Sequence, residues 1–148
     1  MIQQATLENL DELVELFDLY RIFYKKESNK EFAKTFLLDR LQNKESIVFI
    51  AYIGKEAVGF TQLYPLYSSA RMEKNWILND LYVKEEARKA GIGESLIKKA
   101  FSFAKENGAV FVQLSTAVDN YTAQSLYKKI GFELQEPDNK FLLFKKTV

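Results

Sequence analysis

Arg88-Lys89-Ala90-Gly91-Ile92-Gly93 sets two cations and two glycines at the head of a stretch with helical periodicity, Ile92 to Asn107. Glycine permits a positive φ and lets a ligand come close to the main chain. The first turn of a helix offers N–H groups without intrahelical partners and a partial positive charge. Together they make an anion site suited to a pyrophosphate, to which Arg88 could add a charge-assisted contact. The same residues would also serve a plain strand-to-helix turn. Two other phosphate loops are excluded: GxxxxGK[ST] does not occur, and GxGxxG is present only as GxG.

Just upstream, "LNDLYV" carries a carboxylate in an apolar strand pattern. Strand alternation predicts Leu78, Asp80 and Tyr82 on one face and Asn79, Leu81 and Val83 on the other. Asp80 could take a proton or attract an ammonium group, or it could be a structurally paired carboxylate. Downstream, "DNYTAQSLYKKIGF" opens a short helix at Asn120, a good N-cap, and carries Tyr127. A phenol there could serve a core or a proton transfer.

The elements that must position these residues follow from periodicity and punctuation. "MIQQAT" predicts a short strand. Thr6 predicts the cap of a first helix with Leu10, Leu13, Val14, Phe17, Tyr20 and Tyr24 at helical spacing, and Asn29 that of a second over Lys30–Gln42. "SIVFIAYI", "GKE" and "AVGFTQLYPLY" predict an antiparallel hairpin, followed by the strand "NWILNDLYV". After the glycine segment and its helix, which Gly108 ends, come the strand "AVFVQLST", the helix "NYTAQSLYKKI" and two strands, "FELQ" and "KFLLFKKT". The order βααβββαβαββ predicts an α/β domain over residues 1–148. Its mixed, mostly antiparallel sheet carries helices on both faces and a right-handed parallel crossover.

Composition narrows the chemistry. With 148 residues, 47% of them hydrophobic, the chain is long enough for one real core. A net charge of +1 gives no general attraction to nucleic acid, so anion binding must be local. There is no cysteine and no histidine, which excludes thiolate and imidazole metal sites and Ser-His-Asp and Cys-His catalysis. The start lacks a signal-peptide pattern, and no apolar run approaches the roughly 20 residues that span a bilayer, so the expected location is cytoplasmic.

The strand–loop–RxxGxG–helix segment, the later "DNYTAQSLYKKIGF" and the element order together resemble the GCN5-related N-acetyltransferase (GNAT) superfamily over the whole chain. "LNDLYV" is similar to the corresponding strand of diamine and related small-amine acetyltransferases. The resemblance implies an enzyme that moves an acetyl group from acetyl-CoA directly to the primary amine of a small molecule or peptide. It implies that the backbone of Arg88, Lys89, Ala90, Gly91, Ile92, Gly93 and Glu94 holds the diphosphate. Leu81, Tyr82 and Val83 would pair with the pantetheine arm, and the Leu81 N–H or a neighbour's would face the developing oxyanion. Asn120 would contact the pantetheine, and Tyr127 would be the general acid.

Asp80 matches the second of two acidic residues common on that strand, but Asn79 departs from the first. Asp80, Glu73 or a water chain therefore remains for the amine proton. Tyr20, Tyr24, Tyr64 and Trp76 could line the acceptor end, and Lys98 or Lys99 could reach a coenzyme A phosphate. The family also suggests a homodimer. The missing acid at position 79 leaves a second expectation open: a non-catalytic acyl-CoA-binding sensor or interaction module of the same fold.

Overall fold

The computed structural model describes residues 1–148, which divide into two compact units, Met1–Ser115 and Thr116–Val148.

In the first unit, Thr6 closes a capping box with Asn9 and starts a 3₁₀ turn that runs into α1 (Leu10–Phe23). Asn29 caps α2 (Lys30–Gln42) by accepting the Phe32 N–H at 3.1 Å. The buried carboxylate of Asp18 ties the intervening loop, accepting from the Ser28 hydroxyl at 2.6 Å and the Asn29 N–H at 2.8 Å.

Five strands form one sheet in the order β1-β2-β3-β4-β5: Ile2–Gln4, Ile47–Ile53, Glu56–Ser68, Glu73–Val83 and Val112–Gln113. The first four pair antiparallel and β5 pairs parallel to β4. Helices α1 and α2 cover one face, where Leu13, Leu16, Leu37, Ile50 and Phe60 are fully buried. Each such side chain contributes about 1.5–3 kcal/mol by leaving water. Helix α3 (Ile92–Glu106) covers the other face with Leu96, Ile97, Ala100 and Ala104, and its Phe103 ring packs on Phe49 and Trp76 at 5.7 and 5.1 Å.

The second unit holds α4 (Tyr121–Ile130), capped by Asn120 accepting the Ala123 N–H at 3.2 Å and ended by Gly131 at φ 115°. The strands expected at 132–135 and 140–147 do not form, and the one expected over 109–116 shrinks to Val112–Gln113. A strand exists through its ladder, and neither run pairs with the other or with any strand.

Candidate active site

The register of β3 against β4 decides where Asp80 points. Gln62 lies opposite Asp80 and Leu63 opposite Leu78, so Asn79 is an extra residue, a β-bulge. The bulge breaks the alternation that the sequence predicts. Leu78 follows Trp76 onto the α3 face, whereas Asp80 meets Tyr20 of α1 on the opposite face. Leu78 and Asp80 therefore do not share a face.

Asp80 is only 3% exposed. Its carboxylate accepts from the Gln62 side-chain amide on one oxygen and from Asn79 Nδ2 at 2.8 Å on the other, and the Tyr20 hydroxyl adds a third interaction. The Thr61 hydroxyl donates to its main-chain oxygen at 2.8 Å. Burial pushes the carboxyl above its ordinary range, against the pull of Gln62, Asn79 and Tyr20. A carboxylate has about four acceptor positions, so three donors leave one for an incoming N–H. Burial, then the Asp80 charge, raise the Tyr20 phenol, and the same two causes push Tyr64 up to about 12. Both phenols remain neutral beside the carboxylate, and Tyr20 donates to it.

Two expectations fail here. Trp76 does not join Tyr20 and Tyr64, because it lies on the α3 face against Phe103. Glu73 is no candidate for the amine proton. It sits at the far end of β4, about 23 Å along the strand from Asp80. There it accepts from Asn75 at 2.9 Å and Arg71 at 3.1 Å, which hold its carboxyl below the usual value.

The end of β4 opens on its other edge. Buried Asn75 accepts the Val110 and Phe111 N–H groups at 2.7 and 3.2 Å, fastening the chain that enters β5. The parallel ladder then holds only at Trp76↔Val112 and Ile77↔Gln113 and stops before Leu81, Tyr82 and Val83. On the opposite edge β3 presses close. A Cβ added at Gly59 would stand 2.8 Å from the Tyr82 carbonyl oxygen, so only glycine allows this approach.

Beyond Val83, a 3₁₀ turn at Glu85–Ala87 leads to Lys89 and Gly91, both left-handed at φ 68° and 77°. Gly91 is the N-cap of α3, with no side-chain cap. The first helical bond, Ser95 N–H to Gly91 C=O at 3.0 Å, leaves the Ile92 and Gly93 amides without intrahelical partners. A Cβ at Gly91 would meet nothing within 4 Å, and one at Gly93 only Val83 Cγ2 at 3.9 Å. Packing therefore does not require glycine at 93, and at 91 the requirement comes from φ alone. The space left open fits a ligand lying against the main chain.

The side chain of Arg88 is used within the protein. Its Nε donates to the Val83 carbonyl at 2.8 Å, and its guanidinium lies over Phe23 and Tyr82 at 5.4 and 5.6 Å. Lys98 pairs with Glu94 at 3.1 Å, and Lys99 lies over the Phe49 ring. In the second unit, Tyr127 packs on Phe132 at 5.7 Å, and its carbonyl accepts the Gly131 and Phe132 N–H groups. Sequence reasoning missed Gln62, Ser46 and Gly59. Gln62 carried a signal: it interrupts the core-facing alternation between Phe60 and Tyr64.

The sequence pattern of the family described as "Acetyltransferase (GNAT) family" matches residues 13–132. The chain belongs to this family and is an acetyltransferase. It is 42% identical over 132 residues to "Uncharacterized N-acetyltransferase YhfO" of Bacillus subtilis (strain 168), covering 89% of each chain. It is 33% identical over 136 residues to a "Probable acetyltransferase" of Haemophilus influenzae, covering 91% of each. A crystal structure of a probable acetyltransferase superposes with a TM-score of 0.89 at 45% identity over 99% of both chains. No helix is long and apolar enough to cross a membrane.

Proposed function

We propose that residues 1–148 act as one domain that transfers the acetyl group of acetyl-CoA directly to a primary amine. The observation that carries the reading is the uncapped start of α3, with its open glycines, next to the free edge at the end of β4.

Acetyl-CoA supplies the acyl group as a thioester. The amides of Arg88 to Glu94, Ile92 and Gly93 foremost, bind the diphosphate, for which the helix N-terminus provides partial positive charge. The backbone of Leu81, Tyr82 and Val83 takes the pantetheine arm as an added strand, and Asn120 contacts it further along. The Leu81 N–H donates to the acyl oxygen, where negative charge grows. Asp80 takes the proton that the amine nitrogen loses as the new C–N bond forms, directly or through one water. Tyr127 gives its phenolic proton to the sulfur as the C–S bond breaks. Exchange with solvent then returns a proton from Asp80 to the Tyr127 phenolate, which balances the cycle. A small-molecule or peptide amine, a cytoplasmic location and a homodimer complete the proposal.

Thiol release from acetyl-CoA, measured against polyamines, amino acids and peptides, tests the reading. Amine-dependent release with matching N-acetylated product supports it. Tight acetyl-CoA binding with no turnover across the panel favours the acyl-CoA-binding module instead.

A further inference from the structure

Three groups in a row fix the geometry around Asp80. Ser46, which precedes β2 and is 5% exposed, donates its hydroxyl to Gln62 Oε1 at 2.8 Å. Gln62 is fully buried in β3 and donates Nε2 to Asp80 Oδ2. An amide side chain can present either its oxygen or its nitrogen, and the two ends have opposite polarity. The ionised carboxylate, which only accepts, selects the NH₂ end, and the Ser46 hydroxyl then donates to the oxygen end and holds the amide in that setting.

We propose that Ser46 and Gln62 are positioning residues for Asp80, setting both its orientation and the ease with which its carboxylate accepts a proton. The inference rests on the reading of Asp80 as the acceptor of the amine proton.

The electrostatics follow. The side chains acting on Asp80 are Gln62 of β3, Asn79 of the bulge and Tyr20 of α1, and none is a cation. Tyr64 of β3 faces Asp80 as a second phenol. Tyr24 acts on Tyr20, and Arg40 of α2 acts on Tyr64. Burial penalises the charge, and neutral donors alone oppose it. Loss of the Ser46 hydroxyl strands a buried amide oxygen. It also frees the Gln62 amide from its fixed setting, so that Nε2 donates to the carboxylate with poorer geometry. Either change favours protonated Asp80.

The test uses the whole 148-residue chain without acetyl-CoA. The Asp80 carboxyl is followed by ¹³C NMR through a pH titration, and the acid limb of kcat/KM is recorded in parallel. Ser46→Ala is expected to raise the Asp80 midpoint by about one pH unit and to move the acid limb with it. Ser46→Thr, which keeps the hydroxyl, is expected to return both toward the wild-type values. Gln62→Met, of similar volume without the amide, is expected to raise the midpoint at least as far, and serves if Ser46→Ala does not fold. An unmoved midpoint in the folded variants overturns the proposal. The proton-acceptor reading fails separately, if Asp80→Asn keeps wild-type turnover.

Discussion

Gly93→Ala separates the needs of the fold from those of the ligand. The new methyl would meet only Val83 Cγ2, at 3.9 Å, an ordinary contact, and Gly93 lies in α3 rather than in the left-handed region. The fold should therefore gain: alanine in place of a helical glycine contributes up to about 0.5–1 kcal/mol. For a chain of this size that is a Tm unchanged or raised by about 1–4 °C. Binding should move the other way. The methyl occupies the space through which a diphosphate would reach the first-turn amides. Loss of one hydrogen bond to a charged group costs about 1.5–3 kcal/mol, or roughly 10- to 150-fold in Kd. Scanning fluorimetry reads the first quantity and titration calorimetry with coenzyme A the second. A raised Tm with an unchanged Kd would refute the reasoning, because it would mean that no ligand lies against Gly93. Gly91→Ala is less informative. Its φ of 77° costs an L-residue about 1–2 kcal/mol, so stability and binding would fall together.

Three further outcomes are expected. Tyr127→Phe should lower kcat at least about tenfold while leaving the affinity for acetyl-CoA within about twofold, as measured by steady-state kinetics and calorimetry. Gly59→Ala should force β3 away from the Tyr82 carbonyl at a cost of about 1–3 kcal/mol, lowering Tm by at least about 3 °C in a thermal melt and weakening coenzyme A binding at the displaced end of β4. The raised carboxyl of Asp80 has a signed consequence: the folded state binds a proton that the unfolded state has released, so Asp80 costs stability as pH rises from about 4 through its folded value. The difference in Tm between Asp80→Asn and wild type should therefore grow in the variant's favour over that window, whatever its offset at pH 4, and a flat difference would contradict the buried, raised carboxyl.

Local chemistry made much of the fold legible. Asn29 and Asn120 cap the helices that their positions predict, Thr6 opens the turn into α1, and Gly91 takes the left-handed conformation that a glycine before a helix suggests. The bulge at Asn79 was not legible, because it depends on the register of β3 against β4 and leaves no mark in "LNDLYV". That single insertion reverses the face assigned to Asp80 and takes Trp76 out of its company. The last two strands fail for a related reason, since an apolar run states what a segment would bury and not which strand it would pair with. The glycine loop and Asp80 were named as candidates from sequence. Their neighbours Ser46, Gln62 and Gly59 were not, because each matters through a contact made across the sheet.

The most direct test is an amide-resolved NMR titration of ¹⁵N-labelled protein with coenzyme A. The account requires saturable shifts that are largest at Ile92 and Gly93, with Leu81, Tyr82 and Val83 following at the same ligand concentration. Saturable binding that leaves those amides in place would contradict it.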